Sequence, residues 1–249
     1  MNKSSEKIAL ILAAGKGKRM KSDLPKVLHR LDGRYVVDHV IDSARKANIE
    51  RQILVIGHQA EKVEEALKDR GVEFVLQAKQ LGTGHAVMTA EPLLARFDGD
   101  LVILCGDMPL VRPETIKGLI DERHRLKAAA TVLTVTLEDP AQYGRIVRND
   151  DDLLKAIVEY RDADDIIRKI REVNTATYCF DWKELKPILS RLDDENDQGE
   201  YYLTDSIAIL VNNGRKVSAL VAADPAEGFG INSADELLAV EKLLKSGTR

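Results

Sequence analysis

A chain of 249 residues with a formal charge of −4 and a pI near 5.8 has room for a substantial core but no broad excess of Lys and Arg. That balance excludes a surface built for nucleic acid or an anionic membrane, and the expected partners are small molecules. The two cysteines, Cys105 and Cys179, lie outside any C-x-x-C or metal-ligand spacing and read as free thiols of a reducing compartment.

The first apolar run, Ile8 to Ala14, is too short to span a bilayer and meets Gly15-Lys16-Gly17-Lys18-Arg19 at once. It reads as a buried strand, no later stretch has membrane-spanning length, and a cytoplasmic protein is expected. Gln52 to Ile56, Phe74 to Gln77 and Leu101 to Cys105 read as further strands. Between them Val36-Val37, Val40-Ile41 and Ala44, then Val63, Ala66 and Leu67, then Ala86-Val87, Ala90 and Leu93-Leu94 recur at helical spacing. Pro113 opens another helix over Thr115 to Leu126. This alternation predicts a parallel sheet covered by helices on both faces.

After Ala130 the pattern becomes β-rich: Thr131 to Leu137, Arg145 to Val147 and Leu153 to Val158 read as strands, with Asn149-Asp150-Asp151-Asp152 as a turn. Helices follow over Trp182 to Leu192, Leu203 to Asn212 and Ala234 to Leu244, with a late strand over Lys216 to Val221. Asp193 to Asp197 reads as a solvated loop, and the lone Trp182 as a core residue. The fold class expected is α/β, Rossmann-like, a mostly parallel mixed sheet flanked by helices with a small β-rich lobe. Residues 1–249 read as one domain, with an α/β part over about 1–130 and a part over about 131–249 that carries the β-rich substrate lobe.

In an open α/β sheet ligands bind beyond the carboxyl ends of the strands, where the loop from Gly15 to Lys26 falls. Glycines let backbone N–H groups approach a phosphate, and Lys16, Lys18, Arg19 and Lys26 supply charge. A dinucleotide fingerprint needs glycine, and a Walker loop needs Gly-Lys-Ser/Thr, at positions where this chain has Met20. The loop therefore reads as a different triphosphate grip.

Leu12-Ala13-Ala14-Gly15-Lys16-Gly17-Lys18-Arg19-Met20 with Asp23-Leu24-Pro25-Lys26 resembles the signature of sugar-nucleotide pyrophosphorylases. The nearest likeness is to the uridyltransferase domains of bacterial N-acetylglucosamine-1-phosphate uridyltransferases. Gln77 to Ala86, Gly106-Asp107-Met108-Pro109-Leu110, Tyr143-Gly144-Arg145-Ile146, Ile157-Val158-Glu159, Glu172 to Thr175, Gln198 to Asp205 and Gly230-Ile231-Asn232 continue it in order. The resemblance implies a nucleotide-diphospho-sugar transferase fold and a Mg²⁺-dependent transfer joining UTP to N-acetylglucosamine 1-phosphate. It also implies nucleotide binding for the part over about 1–130 and sugar binding for the part over about 131–249.

By that resemblance Leu12, Ala13, Ala14, Gly15, Gln77, Gly82 and Thr83 hold uracil and ribose, and Arg19 and Lys26 grip phosphates as the catalytic pair. Asp107 and Asn232 hold Mg²⁺, and Cys105, Gly106, Asp107, Gly144, Glu159, Asn174 and Asn232 form the sugar site. Asn232 also fits the N-cap of the last helix, and His85 is expected to be structural. Relatives often carry Tyr in place of Cys105, Gly in place of Ala176, and Asn or Arg around Ser233-Ala234. The Ala176 methyl is expected to tighten the sugar pocket. The chain ends at Arg249 without hexapeptide repeats, so the β-helix acetyltransferase domain of the bifunctional family is not expected. Rival expectations are a pyrophosphorylase for another sugar 1-phosphate or for CTP, and a silent nucleotide-sugar sensor.

Overall fold

Strand β1 (Glu6–Ala13) runs through the middle of the molecule, and Ile8, Ala9, Leu10 and Ile11 are wholly buried, as an apolar run covered on both faces must be. The computed structural model describes residues 6–245, the Lys18 side chain excepted. After the loop from Gly15 to Lys26 come a small hairpin, β2 (Arg30–Leu31) and β3 (Arg34–Tyr35), and then α1 (Val36–Lys46). Three strand-and-helix units follow: β4 (Arg51–Ile56) with α2 (Ala60–Leu67), β5 (Glu73–Leu76) with α3 (Thr83–Ala90), and β6 (Gly99–Cys105) with α4 (Pro113–Leu126).

The later part contributes β7 (Ala130–Thr136), β8 (Arg145–Arg148), β9 (Leu154–Val158), β10 (Glu172–Asp181), α5 (Trp182–Leu189), α6 (Asp205–Asn212), β11 (Val217–Val221) and α7 (Ala234–Lys245). The main path of the sheet runs β11-β7-β10-β6-β1-β4-β5. Every neighbour pair along it is parallel except those of β10, which runs against both β6 and β7. The hairpin β8–β9 hangs from the start of β10 through the pairing of Val173 with Arg145. The expected mixed, mostly parallel sheet is therefore found.

The fold corrects the expectations in particular places. No strand was expected over β10, of which Glu172 to Thr175 entered only as a motif: the buried polar residues Asn174, Thr175 and Thr177 break up the apolar run, and a bulge between Asn174 and Thr177 interrupts the pairing. The helix from Trp182 stops at Leu189 rather than Leu192, and the next begins at Asp205 rather than Leu203. Trp182 is core, at 1% exposure.

One face of the sheet packs on α3, α5 and α6 and the other on α1, α2 and α4. A third, smaller cluster joins Met20, Leu31, Val36, Leu110, Ile231 and Val240. Met20 thus anchors the loop from Gly15 to Lys26 against the segment that leads into α7. The chain steps outward from β1 through β4 to β5 and returns to the other side of β1 with β6. That reversal opens a crevice at the carboxyl ends of β1 and β6, where α/β sheets bind ligands.

Candidate functional site

The backbone turns left-handed at Gly17 (φ 55°) to carry the chain off β1. A Cβ there would stand 2.8 Å from the Lys26 Cβ, so only glycine lets the two limbs of the loop close on each other. At Gly15 a Cβ would meet nothing within 4 Å. Gly15 is thus a stretch of open backbone, whereas Gly17 is a packing requirement.

Lys26 points into the crevice. Its ammonium pairs with Asp107 Oδ2 at the end of β6 and donates to Asn232 Oδ1 at 3.0 Å. The Ile231 N–H donates to the Asp107 carbonyl at 2.8 Å, which fastens the Asn232 segment to β6. Two oxygen donors, one carboxylate and one amide, thus converge on a single cation. Asn232 is not the N-cap of α7. Ser233 takes that place: its Oγ accepts the Glu236 N–H at 3.2 Å, while Glu236 Oε2 accepts the N–H groups of Ser233 and Asn232 at 3.1 and 2.6 Å. This is a capping box, and it fixes the backbone from which Asn232 reaches Lys26.

A cavity of about 530 Å³ lies on one side of this trio, walled by Leu12, Ala13, Ala14, Gly15, Lys16, Gly17, Lys26, Gln77, Gly82 and Thr83, with Gln80 and Glu200. Gln77 is 3% exposed, and its amide nitrogen donates to the Gly82 carbonyl at 3.1 Å and meets His85 Nδ1 at 3.0 Å. The Gly82 turn is backed by the segment after the acidic loop. Tyr201 donates to the Leu81 carbonyl and accepts from the Gly84 N–H, each at 2.8 Å, and Thr83 Oγ1 accepts the Leu203 N–H at 3.1 Å. A Cβ on Gly82 (φ 104°) would come within 2.6 Å of the Tyr201 carbonyl.

A second cavity, about 710 Å³, lies on the other side and includes Arg19, Gly144, Glu159, Asn174, Ala176, Asn232 and Glu236 in its wall. Cys105 and Asp107 line both cavities. Burial raises the Glu159 carboxyl above its ordinary range; the Thr204 hydroxyl, donating at 3.3 Å, opposes this, and Asp162 and Asp205 add to it. A Cβ on Gly144 would come within 3.3 Å of the Glu159 carboxylate, so glycine makes room for that group. Burial, with the Asp107 carboxylate beside it, pushes the Cys105 thiol up to about 12, while Lys26 pulls the other way.

Asn174 is engaged with the bulge of its own strand: Nδ2 donates to the Tyr178 hydroxyl at 2.8 Å and Oδ1 accepts the Ala176 N–H at 2.9 Å. Ala176 occupies the left-handed region at φ 57°, and its carbonyl accepts from Cys105 Sγ at 3.5 Å. The loop before β8 is held by Arg145, 2% exposed, whose guanidinium donates to the carbonyls of Pro140, Ala141, Tyr143 and Arg168.

The residues expected around the nucleotide thus share one cavity wall, and Gly144, Glu159, Asn174 and Asn232 share the other. Two placements differ from expectation. Arg19 lines the second cavity rather than the first, and Gly106 lines neither: a Cβ there would stand 3.1 Å from the Leu12 carbonyl, so it lets β6 end close against β1. The wall residues Glu236 and Gln142 escaped the sequence reading; Ser233-Ala234-Asp235-Glu236 carries the capping-box spacing that could have revealed the first.

Residues 9–177 match the MobA-like NTP transferase domain. The chain belongs to that family. Within it, the chain is 48% identical over 237 residues to the bifunctional protein GlmU of Streptococcus uberis, covering 95% of this chain and 52% of that protein. The bifunctional protein GlmU of Clostridium botulinum is 47% identical over 239 residues, covering 96% and 52%. The chain spans about half the length of the curated relatives it matches. The resemblance drawn from the motifs is met by these matches. A crystal structure of UDP-glucose pyrophosphorylase complexed with UDP-glucose superposes with a TM-score of 0.77 at 18% identity, covering 96% of this chain and 98% of that one, and the likeness is of fold. Among the described residues no helix is long and apolar enough to cross a membrane.

Proposed function

We propose that this NTP transferase domain is a Mg²⁺-dependent uridylyltransferase that converts UTP and N-acetylglucosamine 1-phosphate to UDP-N-acetylglucosamine and pyrophosphate. The observation that carries the reading is the meeting of two cavities at Asp107, with Lys26 and Asn232 gathered at the junction. A nucleotide in one cavity and a sugar phosphate in the other would bring their phosphates together there. The reaction is in-line attack of a sugar-phosphate oxygen on the α-phosphorus of UTP; the bond from that phosphorus to the oxygen bridging it to the β-phosphorus breaks, and pyrophosphate leaves.

The nucleophile is a phosphate monoester whose second pKa is about 6, so it is already largely dianionic at neutral pH and no side-chain base is needed. The barrier lies in bringing two anions together in line. Lys26 contributes charge at the junction, and the open backbone of Gly15 offers N–H groups to the triphosphate. Glu159 and Asn174 face the sugar as acceptor and donor for its hydroxyl and acetamido groups. On this reading the nucleotide is held chiefly by residues before 130 and the sugar by later ones, with Glu200 and Arg19 crossing between the two sides.

The donor set suits Mg²⁺. A carboxylate and an amide oxygen already converge on the Lys26 ammonium. A site with so few protein oxygens fits an ion that keeps water and takes phosphate ligands. Asp107 and Asn232 would hold the ion, which when bound neutralises charge on the reacting phosphates.

The test is pyrophosphate release over UTP, CTP, dTTP and ATP, crossed with several sugar 1-phosphates, with and without Mg²⁺. UTP with N-acetylglucosamine 1-phosphate and Mg²⁺ should be the best combination, and Lys26→Ala should lower its turnover by about a hundredfold or more while melting as the parent does. UTP binding without pyrophosphate release from any sugar phosphate would refute the proposed reaction.

A further inference from the structure

Gln77, in the wall of the first cavity, and His85 behind it form a hydrogen-bonded pair. The Gly82 carbonyl can only accept, so the group facing it at 3.1 Å must be the amide nitrogen of Gln77. That nitrogen has two hydrogens. The second points to His85 Nδ1 at 3.0 Å, which takes it as the bare nitrogen of a neutral ring carrying its hydrogen on Nε2. Both donors of the amide are thereby used inside the protein.

The amide oxygen is left. Gln77 Oε1 has no hydrogen-bond partner among the described residues and is not one of the buried polar atoms left without one, so it opens to the cavity that Gln77 helps to wall. The residue has no freedom to turn over. Its main chain is held by the Gln77 N–H to the Ile56 carbonyl at 2.8 Å and by Gln80 Nε2 to the Gln77 carbonyl at 2.9 Å, and a reversed amide would set its oxygen against the Gly82 carbonyl. His85 itself sits in α3, with the Tyr201 ring beside it at 6.3 Å between centroids.

We infer that His85 is a positioning residue for nucleotide specificity: it consumes the second donor of Gln77 so that the pocket presents an acceptor, selecting bases with an N–H between two carbonyls. Uracil and thymine offer that N3–H, whereas cytosine offers a bare N3 that an acceptor repels. The inference rests on the proposed nucleotide reading and adds to it a residue that touches neither substrate nor reacting atoms. Without His85 the amide is held by the Gly82 carbonyl alone and its second hydrogen has no partner, so its oxygen is aimed less firmly and the discrimination falls while the phosphate grip stays.

The experiment is calorimetric titration of wild type, His85→Leu, His85→Phe and His85→Asn with UTP and with CTP, beside pyrophosphate release and a thermal melt for each. Loss of one buried hydrogen bond corresponds to about a tenfold fall in the UTP-to-CTP affinity ratio for the Leu and Phe variants. The Asn variant, whose Oδ1 can stand in for Nδ1, should keep the ratio to within about threefold of wild type. A wild-type protein that does not prefer UTP, Leu and Phe variants with an unchanged ratio, or an Asn variant that loses as much as Leu would each overturn the assignment. If neither apolar variant folds, N3-methyl-UTP decides on the wild-type protein, because unchanged affinity would mean that no acceptor reads N3–H. Preference for UTP in binding with no pyrophosphate released would leave the role of His85 standing and overturn the turnover reading instead.

Discussion

Gly17→Ala perturbs the site through geometry alone. The added methyl would stand 2.8 Å from the Lys26 Cβ, roughly 0.6 Å short of ordinary contact, and the backbone there is left-handed at φ 55°. Left-handed backbone costs an L-residue about 1–2 kcal/mol, which for a chain of this size lowers the melting temperature by about 2–8 °C. The contact is relieved by moving Lys26, and a displacement at its Cβ grows along the side chain to about 1 Å at the ammonium. Misplacement on that scale costs about a hundredfold in rate. The turnover number in a pyrophosphate-release assay should therefore fall by about that factor, while the affinity for UTP, most of whose contacts lie elsewhere in the cavity, changes much less. A variant that turns over within about threefold of wild type would refute both the contact and the role given to Lys26.

Gly15→Ala should behave in the opposite way, because its Cβ would meet nothing: stability should hold or rise by about 0.5 kcal/mol, whereas UTP affinity should fall as the methyl enters the space of the triphosphate. Equal affinities for the variant and the parent would mean that no phosphate approaches Gly15. Glu159→Gln should raise stability at neutral pH and weaken binding of the sugar 1-phosphate. A carboxyl raised by burial favours the fold while protonated; that contribution is complete below the ordinary 4.5 and is lost as pH climbs through the folded value. The melting difference between variant and parent should therefore vanish near about pH 4 and open above it, and a constant difference across pH would contradict the burial argument. Arg123→Met leaves the wholly buried Asp100 carboxylate without its guanidinium and should cost about 3 kcal/mol or more, a fall of about 6 °C or more. Asp100 lies at the opposite end of β6 from Asp107, so KM and turnover in the folded variant should match the parent; a change in either would show that the pair reaches the site.

The parallel part of the sheet was legible because each of its central strands is buried on both faces and so reads as an unbroken apolar run between helices of plain periodicity. Strand β10 was not, since its buried Asn174, Thr175 and Thr177 break the apolar run where the bulge inserts Thr175 and Ala176 between two paired stretches. The phosphate loop was legible as a loop but not as a shape: left-handed turns at Gly17 and Lys21 flank Arg19, and they decide that its side chain leaves the first cavity for the second. Met20, which ruled out two commoner glycine motifs, proves to be a buried anchor at 6% exposure. His85 gave no signal of its task, because its partner Gln77 is brought to it by the turn at Gly82 rather than by helical spacing.

The reversal of β10 has a consequence for how such a protein can be altered. In a wholly parallel sheet every strand leaves at the ligand-binding edge, so selectivity is written on loops whose changes also disturb whatever comes next along the chain. Here one strand enters at that edge, and its first paired stretch and the bulge after it carry Asn174 and Ala176 into the second cavity. Cys105 and Asp107 are the residues common to both cavity walls. A designer can therefore recut the acceptor half along β10 and the β8–β9 hairpin and leave the donor half, with its Gln77 and His85 lock, untouched.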